Sequence, residues 1–170
     1  MDQKWHIRFL ELADCIATWS KDPSRGVGSV IVSPMRQVLA TGYNGLPRGF
    51  EDHTDRLQRP VKYDLIVHAE MNAIIQCARN GVSPVGATLY SSFSPCIQCS
   101  LSIVQAGIKR VVTRATSRGD EDWIVFDLGV PLTRHDDLSE TDENDPSLMV
   151  FYGIDAETNE QSRHLVRKIL

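Results

Sequence analysis

The chain has 170 residues, 42% hydrophobic and 24% charged, a balance typical of one globular domain with a core large enough to need no disulfides. The net charge of −4 argues against a polyanion-binding surface, so no nucleic-acid partner is expected, although Lys109-Arg110 and the stretch from Arg114 to Arg118 are locally positive. No apolar run is long enough to span a bilayer and residues 1–6 lack an apolar signal core, so a cytoplasmic protein with no membrane partner is expected.

Trp5, Phe9, Leu12, Ile16 and Trp19 recur at steps of three and four, which predicts an amphipathic first helix. Pro23 stops it, within a loop over residues 20–28. Residues 27–33 and Val38–Tyr43 predict two strands joined by a turn at Pro34-Met35-Arg36-Gln37, hence an antiparallel pair. Residues 42–49 interrupt regular structure, and the polar stretch 50–63 is expected to be irregular. A second helix is predicted over 68–79, with Met71, Ile74, Ile75 and Ala78 on its apolar face and Asn80-Gly81 as a left-handed stop.

Further on, residues 87–91 predict a strand, 95–107 a third helix, 108–113 a strand, 121–128 a short helix and 130–133 an edge strand. The acidic stretch 136–145 predicts an exposed loop, 148–154 a strand and 161–170 a short helix. Strands alternating with helices after an opening hairpin predict a three-layer α/β/α sandwich on a mixed sheet.

Two segments carry chemistry: His68-Ala69-Glu70 and Pro95-Cys96-Ile97-Gln98-Cys99. Cys96 and Cys99, three apart at a helix start, can share a face and reach one ion. Ser94 suits the N-cap and Pro95 the first helical position. The helix dipole and a metal both favour thiolate. His68 supplies a third donor, which leaves a fourth zinc position for water. A structural zinc site needs a fourth protein ligand, and His53, Cys15 and Cys77 stand outside any motif. Cys15 and Cys77 fall in helical apolar patterns and predict buried free thiols. A redox pair is the other alternative. Glu70 suits proton transfer, yet two residues along a regular helix His68 and Glu70 diverge, so spacing alone does not bring them together.

H-x-E with P-C-x-x-C is the signature of zinc deaminases acting on cytosine or adenine. Ser20-Lys21-Asp22-Pro23-Ser24, Val27-Gly28, Gly42-Tyr43-Asn44-Gly45-Leu46-Pro47-Arg48-Gly49, the segment from His68 to Ile74, and Gln105-Ala106-Gly107-Ile108-Lys109 carry the likeness further. On these residues the chain resembles the deoxycytidylate (dCMP) deaminase family of the cytidine deaminase-like superfamily, and the resemblance covers about residues 5 to 133. The resemblance implies a five-stranded central sheet and one catalytic Zn2+ held by His68, Cys96 and Cys99. It implies that Glu70 moves a proton from the attacking water to the ring N3 and then to the departing amine. The product is then dUMP with ammonia. It further implies substrate contacts from Asn44 to the 3′-hydroxyl, from the Ala69 backbone to the base, and from Ser24, Arg25 and Arg48 toward phosphate or an effector. Tyr43 and Phe93 are either pocket walls or core residues.

The family likeness divides the chain into a deaminase domain, 1–134, and an extension, 135–170, packed on the same domain or at an oligomer interface. It also implies a homo-oligomer with dCTP and dTTP as candidate effectors. The chain departs from the family at residues 114–120, where Arg114 and Arg118 stand in place of an aromatic segment. That departure keeps dCTP or a 5-modified cytosine nucleotide open as the substrate. Two further readings are a tRNA-adenosine or single-stranded-DNA cytosine deaminase, and a non-catalytic zinc-stabilised interaction module.

Overall fold

The computed structural model of the protein describes residues 3–114, 123–127, 148–154 and 161–167. Its elements are α1 (Gln3–Ala17), β1 (Gly28–Val32), β2 (Val38–Tyr43), a 3-10 turn (Thr54–Leu57), α2 (Lys62–Leu65), α3 (Ala69–Arg79), β3 (Thr88–Ser91), α4 (Ile97–Gln105), β4 (Arg110–Arg114), β5 (Trp123–Asp127), β6 (Leu148–Ile154) and β7 (Gln161–Arg167). The strands make one mixed sheet in the order β2-β1-β3-β4-β5-β6-β7. Only β3 and β4 run parallel, with α4 as the crossover between them. The other neighbours are antiparallel.

Side-chain alternation along β1 builds the layers. Val30 and Val32 face α1 and pack with Phe9, Leu10, Ala13 and Ile16, together with Tyr90 and Val112. Ile31 faces the opposite way and packs with Leu89, Val111, Ala73 and Cys77 of α3, and Ile103 of α4. All five β1 residues are buried, as expected of a strand covered on both faces. The α/β/α sandwich is therefore the expected one. The sheet is longer than the five strands implied by the family likeness, because β6 and β7 extend it beyond β5.

Two expected helices are strands. Trp123-Ile124-Val125-Phe126 is aromatic and β-branched, and it pairs with β4 from Arg110↔Asp127 to Arg114↔Trp123. Residues 161–167 pair along their whole length with β6, and this ladder overrides a weak helical pattern. The stretch 50–63 is not wholly irregular, since it holds the 3-10 turn and the start of α2, with Leu57 and Lys62 buried. Cys77 is buried as expected, but Cys15 is exposed because it sits one position off the buried α1 stripe of His6, Phe9, Leu10, Ala13 and Ile16. Trp19 lies past the end of α1 and is exposed. The edge strand expected at 130–133 and the acidic loop at 136–145 lie outside the described residues. Among the described residues, no helix is long and apolar enough to cross a membrane.

Two glycines allow backbone to lie against backbone. A Cβ at Gly28 would meet the Ala13 carbonyl oxygen of α1 at 2.1 Å. A Cβ at Gly42 would meet the Ala69 carbonyl oxygen at 2.3 Å and the Ala73 nitrogen at 2.4 Å, so β2 directly supports the first turn of α3. Gly42→Ala is expected to cost about 1–3 kcal/mol in urea unfolding through overpacking. An unchanged midpoint would show that α3 yields freely at that contact.

Candidate active site

The site grows from two helix starts. His68 is the N-cap of α3, with an extended backbone at φ −68° and ψ 156°, and no side-chain cap bond. It therefore stands off the helix, and its ring need not follow the helical spacing that separates it from Glu70 in the second helical position. Cys96, not Ser94, is the N-cap of α4, at φ −73° and ψ 169°, again without a side-chain cap bond. Both positions ordinarily favour Ser, Thr, Asp or Asn. Here they hold metal-type donors whose side chains turn toward each other.

The His68 Nδ1 lies 3.4 Å from both the Cys96 and the Cys99 Sγ. All three donor atoms lie within 4.8 Å of one another. In tetrahedral zinc the sulfur-to-nitrogen edge is about 3.6 Å, from bond lengths of about 2.3 and 2.05 Å. The donors thus already occupy three corners of such a site, and their N/S/S chemistry fits zinc.

Electrostatics within the triad follow from its hydrogen bonds. Donation from Cys99, and then the His68 contact, hold the Cys96 thiol down to about 3. Its hydrogen bond to Cys96 and its burial push Cys99 up. The bond to Cys96 raises His68, against its partial burial. A cation bound by these three donors would displace the protons they share, so metal binding releases protons. Glu70 is 3% exposed, and burial pushes its carboxyl above the usual carboxylate range. A carboxyl so placed binds a proton more readily than an exposed one, which suits it to proton transfer.

Glu70, Ala69, His68 and Cys96 open onto a cleft of about 380 Å³, which Ser24, Arg25, Asn44 and Phe93 also line. That is the size of a small-molecule site. Phe93 is half-buried and lies under the Arg25 guanidinium, 4.1 Å from the ring centroid, so it is a pocket wall. Asn44 is buried and heavily engaged. Its Oδ1 accepts from the Val27 N–H at 2.7 Å, while Nδ2 donates to the Arg25 carbonyl at 2.9 Å and to Asp22 Oδ2 at 3.3 Å. A ligand hydroxyl can reach only the remaining lone pair of Oδ1.

Arg48 stands apart. It donates to the Gln76 Oε1 at 3.1 Å and lines a separate groove with Trp19 and Tyr43, which shares no residue with the cleft. Arg114 is held by Asp14 Oδ2 through Nε at 3.0 Å and Nη2 at 2.6 Å, and it does not line the cleft. Arg118 lies outside the described residues. Conversely, Asp22, Arg59, Lys62 and Tyr63 line the cleft, although no motif in 50–63 singles out the last three. The only signal there is the cluster of cations and an aromatic a few residues before His68. Lys62 Nζ donates to Asp22 at 2.9 and 3.0 Å, with both side chains buried. Burial pushes the Asp22 carboxyl up, but the Lys62 hydrogen bond and the Ser24 N–H outweigh it and hold the group below its usual value.

A mixed α/β/α sandwich with His/Cys/Cys donors and a buried carboxylate at a helix start defines a zinc-dependent hydrolytic deaminase. Comparison with known proteins narrows the class. The chain belongs to the cytidine and deoxycytidylate deaminase family, whose zinc-binding region matches residues 3–115. It is 34% identical over 125 residues to human deoxycytidylate deaminase, covering 70% of this chain and 69% of that one. It is 39% identical over 111 residues to an uncharacterised deaminase of Aliivibrio fischeri, covering 65% of this chain and 73% of the relative. Among solved structures it resembles the dCMP deaminase of cyanophage S-TIM5 in complex with dCMP and dUMP, with a TM-score of 0.60 and 31% identity, covering 70% of this chain and 87% of that one.

Lys62→Met strands a buried carboxylate and is expected to cost about 3–5 kcal/mol in urea unfolding, partly recovered by adding Asp22→Asn. The folded Asp22 carboxyl lies below its usual 3.8. The pair's stabilisation is therefore full above that value and is lost as pH falls through the lower folded value. The stability gap between wild type and Lys62→Met should narrow as pH falls through 3.8 and below it. A gap constant across that range would contradict the assignment.

Proposed function

We propose that this protein hydrolyses dCMP to dUMP and ammonia, with one catalytic zinc ion held by His68, Cys96 and Cys99. The observation that carries the reading is the buried Glu70 carboxyl beside three zinc-type donors at the floor of a nucleotide-sized cleft. The dCMP deaminase named in human and cyanophage relatives, the latter solved with dCMP and dUMP, supports the choice of substrate.

Bound zinc supplies a Lewis acid that makes water nucleophilic near neutral pH. Glu70 removes a proton from the attacking water and delivers it to the pyrimidine N3 as oxygen bonds to C4. Glu70 next carries the remaining water proton to the exocyclic amine, and the C4–N bond breaks to release ammonia. Atoms balance as water plus cytosine giving uracil plus ammonia. Burial keeps the Glu70 proton from bulk solvent and raises its basicity. The Ala69 backbone, at the first turn of α3, faces the base. Asn44 holds the loop of residues 22–27 in place and offers its remaining lone pair to the sugar. Ser24 and Arg25 meet the phosphate. All of these residues fall within the proposed catalytic unit 1–134, with 135–170 as an extension whose strands β6 and β7 lengthen the sheet.

The test is a panel of cytidine, deoxycytidine, CMP, dCMP, dCTP and 5-methyl-dCMP on zinc-loaded protein, followed by the ultraviolet change from cytosine to uracil. Preference for dCMP is expected, and inertness toward every deoxycytidine nucleotide would overturn the reading. Preference for dCTP or 5-methyl-dCMP would keep the chemistry and replace the substrate. Glu70→Gln should retain stoichiometric zinc and lose turnover by about 10²- to 10⁴-fold. His68→Ala and Cys99→Ala should instead lose the metal itself, read by elemental analysis. Near-normal turnover in Glu70→Gln would remove the proton shuttle.

A further inference from the structure

We propose that Arg59 is the second arm of the phosphate grip, together with Arg25, and that the buried Asp22–Lys62 pair leaves these two as the arginine and lysine side chains of the cleft free to meet a phosphate. The proposal rests on the reading of the cleft as a deoxycytidine nucleotide site and adds the residue that makes the phosphate a recognition element.

Three cationic side chains line the cleft beside the metal donors: Arg25, Arg59 and Lys62. Lys62 is spent. Its ammonium lies 2.9 and 3.0 Å from the two Asp22 oxygens, in a buried pair that also ties α2 to the loop carrying Ser24 and Arg25. The two arginines differ from it. Among the described residues neither guanidinium has a carboxylate partner, and each lies over an aromatic ring. The Arg25 guanidinium carbon is 4.1 Å from the Phe93 centroid, and that of Arg59 is 5.7 Å from the Tyr63 centroid.

Stacking engages the face of a guanidinium and leaves its N–H edge free to donate in plane. It also restrains a long, flexible side chain before a ligand arrives, which lowers the entropy lost on binding. A phosphate monoester carries about −1.5 to −2 charges at pH 7 and three strong acceptor oxygens. Two guanidinium forks match that charge and those acceptors. Arg25 and Arg59 come from different segments, the loop after α1 and the turn before α2. A phosphate between them would therefore tie together the two segments that the Asp22–Lys62 pair already joins beneath. Arg59 lies outside the H-x-E and P-C-x-x-C segments, so specificity for a nucleotide over a nucleoside is here separable from the catalytic centre.

The experiment is isothermal titration of dUMP and of deoxyuridine into the zinc-loaded full chain, as wild type, Arg59→Ala and Arg59→Lys. Wild type is expected to bind dUMP more tightly than deoxyuridine. Arg59→Ala should weaken dUMP by about 10- to 100-fold, the range of a charge-assisted contact, and shift deoxyuridine by less than about twofold. Arg59→Lys should recover part of the loss. Unchanged dUMP affinity in Arg59→Ala, or equal weakening of both ligands, would overturn the role of Arg59 while leaving the nucleotide reading intact. A wild type that binds dUMP no better than deoxyuridine would overturn both.

Discussion

The structure turns on the convergence of two helix N-termini. The starts of α3 and α4 bring His68 Nδ1 within 3.4 Å of two cysteine sulfurs. A helix start leaves backbone N–H groups without intrahelical partners and carries partial positive charge. Neither N-cap side chain closes its own helix. The site thus gathers two helix N-termini around one small volume. That arrangement favours the Cys96 thiolate, whereas burial works against charge on Glu70 and Cys99, and a divalent cation would offset that cost. The close contact of Gly42 with the first turn of α3 places one helix, and the parallel crossover from β3 through α4 to β4 places the other.

A second wall completes the cleft by different means. The loop of residues 22–27 has no regular structure of its own, so its shape depends on side chains that satisfy its backbone. The Asn44 amide takes the Val27 N–H and the Arg25 carbonyl, and Asp22 takes the Ser24 N–H. The Asp22–Lys62 pair then ties this loop to α2. A buried pair is weak evidence for net stability, because desolvation offsets its attraction. Its effect here is geometric and electrostatic. It positions the loop and removes one cation from the cleft's free charge, leaving two arginines that each stack on an aromatic ring.

The sequence makes the layers legible because their signals are local. The α1 periodicity, the hairpin of β1 and β2, the Gly81 stop at φ +65° and the apolar β3 and β4 all follow from nearest neighbours along the chain. The strands β5 and β7 are less legible, since short runs of either pattern are settled by the strand beside them. In the site, the donor set is readable from residue type and spacing. Its convergence is not, because helical spacing separates His68 from Glu70 until the extended N-cap releases His68 from the helix. Lys62 shows why buried charge escapes a pattern-based reading, since a lysine in a polar stretch looks solvated until its partner forty residues earlier is known. Arg48 shows the converse: a motif residue whose side chain the fold turns to another groove.

An open metal site at the two helix starts is the point on which the chemistry stands. Zinc K-edge X-ray absorption on the zinc-loaded protein tests it most directly. Two sulfurs at about 2.3 Å, one imidazole and one further light ligand at about 2.0 Å are the expected shell. A third sulfur or a second imidazole would mean a closed, structural site, and failure to bind zinc at all would contradict the convergence itself.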